Sequence, residues 1–264
     1  MKYIKKYNIF SKLRINTICR KYRITNYTIN DNGSIDVDGN VNLSKRSLIK
    51  LPLRFNRVTG NFECYDNKLI TLEGSPREVG GNFDCRFNKL TTLNGAPREV
   101  GCWFDCSNNE LRTLESELEK VDGGFCCSFN NLTSLSGMPK VGRHLHCSYN
   151  ELVTLRGCPK KILGDFECSY NELKTLEYGP EEVYGYFICT HNNITTLKWR
   201  PNEVGNYFEC NYNCLPELIM DNIINIDIIM KESDDFSIWR RDGSLDERRF
   251  NYMMTILKEE DRLL

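Results

Sequence analysis

No run of 18 apolar residues occurs in the 264-residue chain, so no membrane-spanning helix is expected. Net charge is nearly absent: 35 Lys and Arg against 36 Asp and Glu leave −1. That balance argues neither for nor against a nucleic-acid partner. No small-residue cleavage site follows a long apolar region near the N-terminus, which speaks against a secretory signal. Acid is missing from residues 1–23, MKYIKKYNIFSKLRINTICRKYR, where eight basic residues stand.

Cysteine is what the chain has in quantity, with 13 residues. In a small secreted chain that number would suggest a disulfide framework. Here eight of them form a column: Cys64, Cys85, Cys106, Cys127, Cys147, Cys168, Cys189 and Cys210. Every step is 21 residues except the 20 from Cys127 to Cys147. The same register carries Asn67, Asn88, Asn109, Asn130, Asn150, Asn171, Asn192 and Asn213. A fixed period over most of a chain is the signature of a solenoid. In Phe83-Asp84-Cys85 the alternation points Phe and Cys inward on a three-residue strand. Leu90, Leu93 and Val100 complete the core of that coil. Gly95 and Pro97 mark the turn and favour an extended return side over a helix. Each asparagine stands at the bend after its strand, where an amide can satisfy backbone groups of both polarities. Stacked cysteines would lie at inter-strand distance, wider than the roughly 3.8 Å between Cβ atoms of a relaxed disulfide. They read as buried apolar side chains of a reduced, cytoplasmic protein.

The F-x-C-x-x-N-x-L pattern resembles the leucine-rich repeat, L-x-L-x-x-N-x-L, in its short bacterial form. Coils of the form L-x-G-x-P-x-x-V-G-G-x-F-x-C-x-x-N-x-L, with a lead-in such as YTINDNGSIDVDGNVNLS at residues 27–44, are similar to those of leucine-rich-repeat proteins of tailed bacteriophages. The resemblance spans roughly residues 18–250. It implies an α/β horseshoe class that is rich in β structure, with the parallel sheet on the concave face and helical caps at both ends. It also implies a viral protein in the cytoplasm of an infected bacterium, or one carried in the virion. It names no activity.

Three regions follow: a basic helix and hairpin cap at 1–40, about nine coils at 41–218, and a capping segment with a helix at 219–264. Ile4, Ile9, Leu13, Ile15, Ile18 and Cys19 give residues 1–23 an imperfect helical stripe. A cap on the open end of the array explains it, and binding of an anionic surface is the alternative. Tyr27–Ile29 and Ile35–Val37 flank Asn30-Asp31-Asn32-Gly33 as a hairpin. Val41 and Leu43 open a divergent first coil with Arg46 in the asparagine column. Between Leu114 and Val121, ESELEK replaces the Gly-x-Pro turn and suggests a local helix. Residues 219–232 read as a short helix or an extended cap. Ser244-Leu245-Asp246-Glu247 reads as a capping box before a helix with Phe250, Met253, Met254 and Leu257 on its apolar face.

Function should lie on the face of the array and not in its fold. Three columns are displayed there. Between Phe and Cys stand Glu63, Asp84, Asp105, Cys126, His146, Glu167, Ile188 and Glu209. Just before Phe stand Asn61, Asn82, Trp103, Gly124, His144, Asp165, Tyr186 and Tyr207. Two residues after Cys stand Asp66, Phe87, Asn108, Phe129, Tyr149, Tyr170, His191 and Tyr212. The mixture of acids and aromatics suits a protein partner with a basic or amphipathic segment. It does not suit phosphate, so no nucleic acid is expected on this face. The simpler account is that the rings pack along their column and stabilise the stack.

Cys126, His146 and Glu167 follow one another in a single column, in the order of nucleophile, base and orienting acid. His144, His146, Asp165 and Glu167 form a grid of metal-ligand types. An open sheet supplies neither a pocket nor oxyanion donors, so no catalytic residue, metal or cofactor is assigned. The expected site is therefore a partner-binding concave face of Glu63, Asp84, Phe87, Trp103, Asp105, Phe129, His144, His146, Tyr149, Asp165, Glu167, Tyr170, Tyr186, Tyr207 and Tyr212. The expected function is a non-enzymatic protein-interaction module, working as a monomer. The alternatives are a self-assembling viral component and a cysteine-dependent enzyme.

Overall fold

The computed structural model describes residues 2–263, with side chains from residue 12 onward. Ile4 and Ile9 of the N-terminal stripe lie outside the described side chains. The chain divides into two compact units, Met1–Asn131 with Gly137–Arg143, and Leu132–Ser136 with His144–Leu264. In each, the repeat winds into a parallel-sheet solenoid.

The first unit opens with α1 (Lys2–Tyr22). Ile15 and Cys19 are buried on its inner side and Leu13 is exposed. The Tyr27 hydroxyl donates to Asn16 Oδ1 at 2.8 Å and ties α1 to the hairpin. The hairpin pairs β1 (Tyr27–Ile29) with β2 (Ile35–Val37) in antiparallel register, as its turn residues predict. Five short strands then pair in parallel: Val41–Asn42, Phe62–Glu63, Phe83–Asp84, Phe104–Asp105 and Phe125–Cys126. Each has two residues where three were expected. The ladder ends early because the next carbonyl bonds to side chains: Cys85 O accepts from Asn88 Nδ2 at 2.9 Å and Asn109 Nδ2 at 3.1 Å.

The return side is extended, as expected, and it forms a sheet of its own. Phe55–Val58, Glu78–Val79, Glu99–Val100, Lys120–Val121 and Lys140–Val141 continue from β2 in parallel. Val58, Val79, Val100 and Val121 point inward, while the charged residue before each faces solvent. ESELEK is not helical. Ser116 Oγ donates to Leu114 O at 3.2 Å and accepts from Leu118 N at 3.3 Å. This local serine turn competes with helix formation, and Leu118 fills the core.

Inside the unit, the rings of Phe62, Phe83, Phe104 and Phe125 stack with centroids 5.1–5.5 Å apart and planes 5–12° from parallel. Cys64, Cys85, Cys106 and Cys127 are fully buried, as are the leucines Leu69, Leu72, Leu90, Leu93, Leu111 and Leu114. Burial of each such phenylalanine or leucine contributes roughly 1.5–3 kcal/mol.

The second unit repeats the plan. Leu145–His146, Phe166–Glu167, Phe187–Ile188 and Phe208–Glu209 make one parallel row. Lys161–Ile162, Glu182–Val183 and Glu203–Val204 make the other. The array then gives way to α2 (Glu217–Met220), a single 3-10 turn at Ile223–Asn225, α3 (Ile226–Glu232) and α4 (Glu247–Glu259). Phe250, Met253 and Leu257 of α4 are buried, and Met254 is only half-buried. The cap of α4 is Asp246 and not Ser244: Asp246 Oδ1 accepts from Arg249 N at 3.2 Å. Ser244 is held one turn earlier, where its hydroxyl donates to Asp242 Oδ1 at 2.8 Å. A buried Arg200 ties α3 to the last coils, donating from Nη2 to Met230 O at 2.6 Å and to Asp234 Oδ2 at 2.9 Å. Among the described residues, no helix is long and apolar enough to cross a membrane.

Candidate functional site

The asparagine column fixes the geometry of everything displayed beside it. Asn88 Nδ2 donates to Cys64 O at 3.0 Å and to Cys85 O at 2.9 Å, while its Oδ1 accepts from Leu69 N at 2.9 Å. Asn109, Asn130, Asn171 and Asn192 repeat the arrangement within their units. The chain must bend sharply to bring each amide inward. The residue before it accordingly takes a left-handed conformation, with φ between +52° and +57° at all eight positions from Asp66 to Tyr212. Six of those eight are aromatic rings, histidine included. Such a conformation costs roughly 1–2 kcal/mol for an L-residue. It persists because the same residue donates its backbone N–H to the following coil, as Tyr170 does to Thr190 O at 3.0 Å.

The bend throws those side chains outward. In the first unit Phe87 and Phe129 are about half exposed, with polar Asp66 and Asn108 interleaved. In the second unit the column is continuous. Tyr149, Tyr170, His191 and Tyr212 stack with centroids 4.2, 4.1 and 4.3 Å apart and planes 9°, 12° and 27° from parallel. The rings thus pack on one another and still show their edges: Tyr149 and Tyr170 keep 41% exposure each, and Tyr212 keeps 71%. Tyr186 and Tyr207, from the column before Phe, form a second exposed pair 4.5 Å apart.

The column between Phe and Cys is half-buried throughout. In the first unit Glu63, Asp84, Asp105 and Cys126 stand in successive register. Burial pushes the Asp84 carboxyl up to about 6; Asp105 and Glu63 add to the rise, while Arg86 opposes it. Arg86 lies across this column, with Nε 3.2 Å from Asp84 Oδ2 and Nη1 3.7 Å from Asp105 Oδ2. Its guanidinium also lies over the Tyr65 ring, 5.3 Å from the centroid. The face of this unit is therefore less acidic than its column of carboxylates suggests. Arg86 stands directly after Cys85, outside the three columns that the sequence marks as displayed. There it is the one large cation in a column that reads Tyr65, Arg86, Ser107, Ser128, Ser148, Ser169, Thr190 and Asn211.

The column before Phe proves to be partly structural. Asn61 Oδ1 accepts from Asn82 N at 2.9 Å, and Asn82 Oδ1 accepts from Trp103 N at 3.0 Å. Trp103 is half-buried, with its indole flat on Gly124, where an added Cβ would come within 2.6–2.7 Å of the ring. In the second unit Asp165 plays the asparagine role, its Oδ1 accepting from Tyr186 N at 2.9 Å.

His144, His146, Asp165 and Glu167 all belong to the second unit. His144 Nδ1 lies 3.1 Å from Asp165 Oδ2, and His146 Nε2 lies 3.9 Å from Glu167 Oε1. Cys126 belongs to the first unit. Burial raises its thiol above the ordinary cysteine range, and the Asp105 carboxylate raises it further. Both effects disfavour the thiolate that a nucleophile requires. A concavity of about 1180 Å³ in the first unit is lined by α1 residues Arg14, Ile15 and Ile18 and by the turns around Pro52, Pro76 and Ala96. None of the three displayed columns contributes to it.

No protein-family model matches the chain, and no curated protein matches it. Among solved structures, the leucine-rich repeat domain of APL1B is similar over 59% of this chain and 68% of that one, at 16% identity and a TM-score of 0.34. YopM from Yersinia enterocolitica WA-314 is similar over 67% of this chain at 19% identity and a TM-score of 0.28. This chain covers about half of that one, 52%. The coil itself is what marks the fold as a leucine-rich-repeat solenoid: a 21-residue period, a parallel strand row, and an asparagine ladder behind it.

Proposed function

We propose that the chain is a non-enzymatic protein-interaction module that takes a basic or amphipathic segment of its partner on the strand face. The observation that carries this reading is the ring column of the second unit. Tyr149, Tyr170, His191 and Tyr212 are held in one line by backbone geometry, stacked on each other, and left with exposed edges. Rings that are already ordered lose little entropy on binding, which is what makes aromatic residues good anchors. The carboxylates of Glu63, Asp105, Glu167 and Glu209 favour a cationic partner and repel phosphate. The raised Cys126 thiol weighs against the cysteine-enzyme alternative.

The likeness of the F-x-C-x-x-N-x-L coils to tailed-phage proteins supports a viral setting. In that setting the module acts in the cytoplasm of an infected bacterium, or travels in the virion, and occupies a host or viral protein by steric cover.

The test is affinity capture from lysate of the natural host, with and without infection, using the wild type and a Tyr149→Ala, Tyr170→Ala, Tyr212→Ala variant of matched circular dichroism. A stoichiometric protein held by the wild type and lost by the variant supports the module. Equal capture by both moves the site off this face. No partner, together with light scattering that grows with concentration, replaces the reading with self-assembly.

A further inference from the structure

His144 and His146 flank the inward-pointing Leu145, so both imidazoles stand on the outer face of one strand. Asp165 comes from the next coil, 21 residues on. One ligand atom from each of the three lies within 4.8 Å of the others. We propose that His144, His146 and Asp165 form a binding site for a zinc-class divalent cation, with Glu167 positioned as a fourth ligand. This site does not depend on the partner-binding reading, since the ligands all belong to this chain.

Three observations carry it. The first is donor chemistry. Two imidazoles and a carboxylate suit zinc and its neighbours, whereas magnesium and calcium prefer oxygen alone. The second is that two of the donors already meet. His144 Nδ1 and Asp165 Oδ2 stand 3.1 Å apart, joined by a proton that a cation can replace. The third is outer-sphere support. Asp165 Oδ1 is held by Tyr186 N, leaving Oδ2 for the ion. The His144 ring lies on the backbone of Gly164, where a Cβ would come within 2.6 Å of Nδ1. Glycine there gives the imidazole its seat.

The fit needs the donors to close on a common centre. Tetrahedral ligands of one zinc ion at about 2.0–2.1 Å stand about 3.4 Å apart. The three donors here lie within 4.8 Å of one another, and side-chain rotation supplies the difference. His146 Nε2 and Glu167 Oε1, 3.9 Å apart, are about 0.5 Å wider than that spacing. The site is half-buried and open to solvent on one side. A fourth position can therefore be taken by Glu167, by water or by a group of a bound partner.

The test uses the full chain, treated with chelator and titrated with Zn2+. The chain has three histidines, so the imidazole proton resonances are few enough to follow singly. The signals of His144 and His146 should shift with 1:1 stoichiometry while that of His191 stays. Isothermal titration should show affinity falling at least about tenfold in His146→Gln and in Asp165→Asn, with His191→Gln unchanged. Circular dichroism of each variant controls for folding, and Mg2+ in place of Zn2+ should give no shift. Unmoved histidine signals up to millimolar Zn2+ overturn the proposal. So does binding that is equally tight in His146→Gln, which would place the ion elsewhere, for instance on an exposed thiol such as Cys102.

Discussion

Tyr170 lies between two rings, parallel within 9° to Tyr149 on one side and within 12° to His191 on the other, while its own backbone sits at φ +55°. The side chain thus stabilises the stack at a position where the backbone favours glycine. Tyr170→Gly and Tyr170→Ala lose the same ring contacts, worth about 0.5–1.5 kcal/mol for each pair. Only alanine keeps the left-handed strain. Glycine should therefore be the more stable of the two by about 1 kcal/mol, the reverse of the usual order in regular structure. Urea unfolding of the two variants measures it; an alanine variant at least as stable as glycine would remove the strain from the account.

The asparagine ladder predicts a large loss from a small change. Asn88→Ala leaves the Leu69 N–H buried without its acceptor and removes two amide donations to carbonyls. A loss on the order of 3 kcal/mol is expected. Asn88→Asp keeps the acceptor but turns a second oxygen toward the Cys64 and Cys85 carbonyls, so it should be no more stable than alanine at neutral pH. Denaturant midpoints at pH 7 check both.

Asp84 should leave a signature in the pH dependence of stability. Its carboxyl titrates near 6 in the folded chain and near 3.8 when unfolded, chiefly because it is buried. Between these values the folded state holds a proton that the unfolded state has released. Stability from this group is therefore full below about pH 4 and is lost as pH rises to 6. The melting temperature of Asp84→Asn, relative to wild type, should rise across that window and level off above it. A difference that is flat with pH would mean that Arg86 cancels the burial.

Thiol labelling separates the structural cysteines from any activated one. Cys102 and Cys214 are exposed and should react first at neutral pH. Cys126 should be slower, because burial raises its thiol. Cys85, Cys106, Cys168 and Cys189, fully buried with thiols pushed well up, should react only on unfolding. Cys126 labelling ahead of Cys102 would revive the enzymatic alternative.

Much of the solenoid is legible in the sequence because a period exposes columns, and columns sort themselves by chemistry. Phe83, Cys85, Leu90, Leu93 and Val100 can be assigned inward from one coil, and all are buried. The hairpin at Tyr27–Val37 is legible from its turn residues. The left-handed backbone at Phe87 or Tyr170 is not, because local preference for that conformation belongs to glycine, asparagine and aspartate. Contacts with the next coil override it. The return-side sheet is hidden for a similar reason: a two-residue strand such as Glu99–Val100 carries no periodicity of its own and exists only through its neighbours. At the site, residue identities and columns can be read, but charge cannot. Arg86 neutralises part of the acidic row from a position outside it, and such a reach depends on side-chain length and direction, not on spacing.

One set of links between coils runs one way. Asn40 serves Asn61 N, Asn61 serves Asn82 N, and Asn82 serves Trp103 N, each across 21 residues. The coils of Asn61 and Asn82 thus present the same socket that they fill. Whole periods can be duplicated or deleted in a gene without redesigning the joints, whereas a shift of a few residues would break the sockets on both sides. Recognition length becomes a quantity that evolution can adjust in fixed steps, one coil of about 4.8 Å at a time, leaving the residues of each displayed column free to vary with the target.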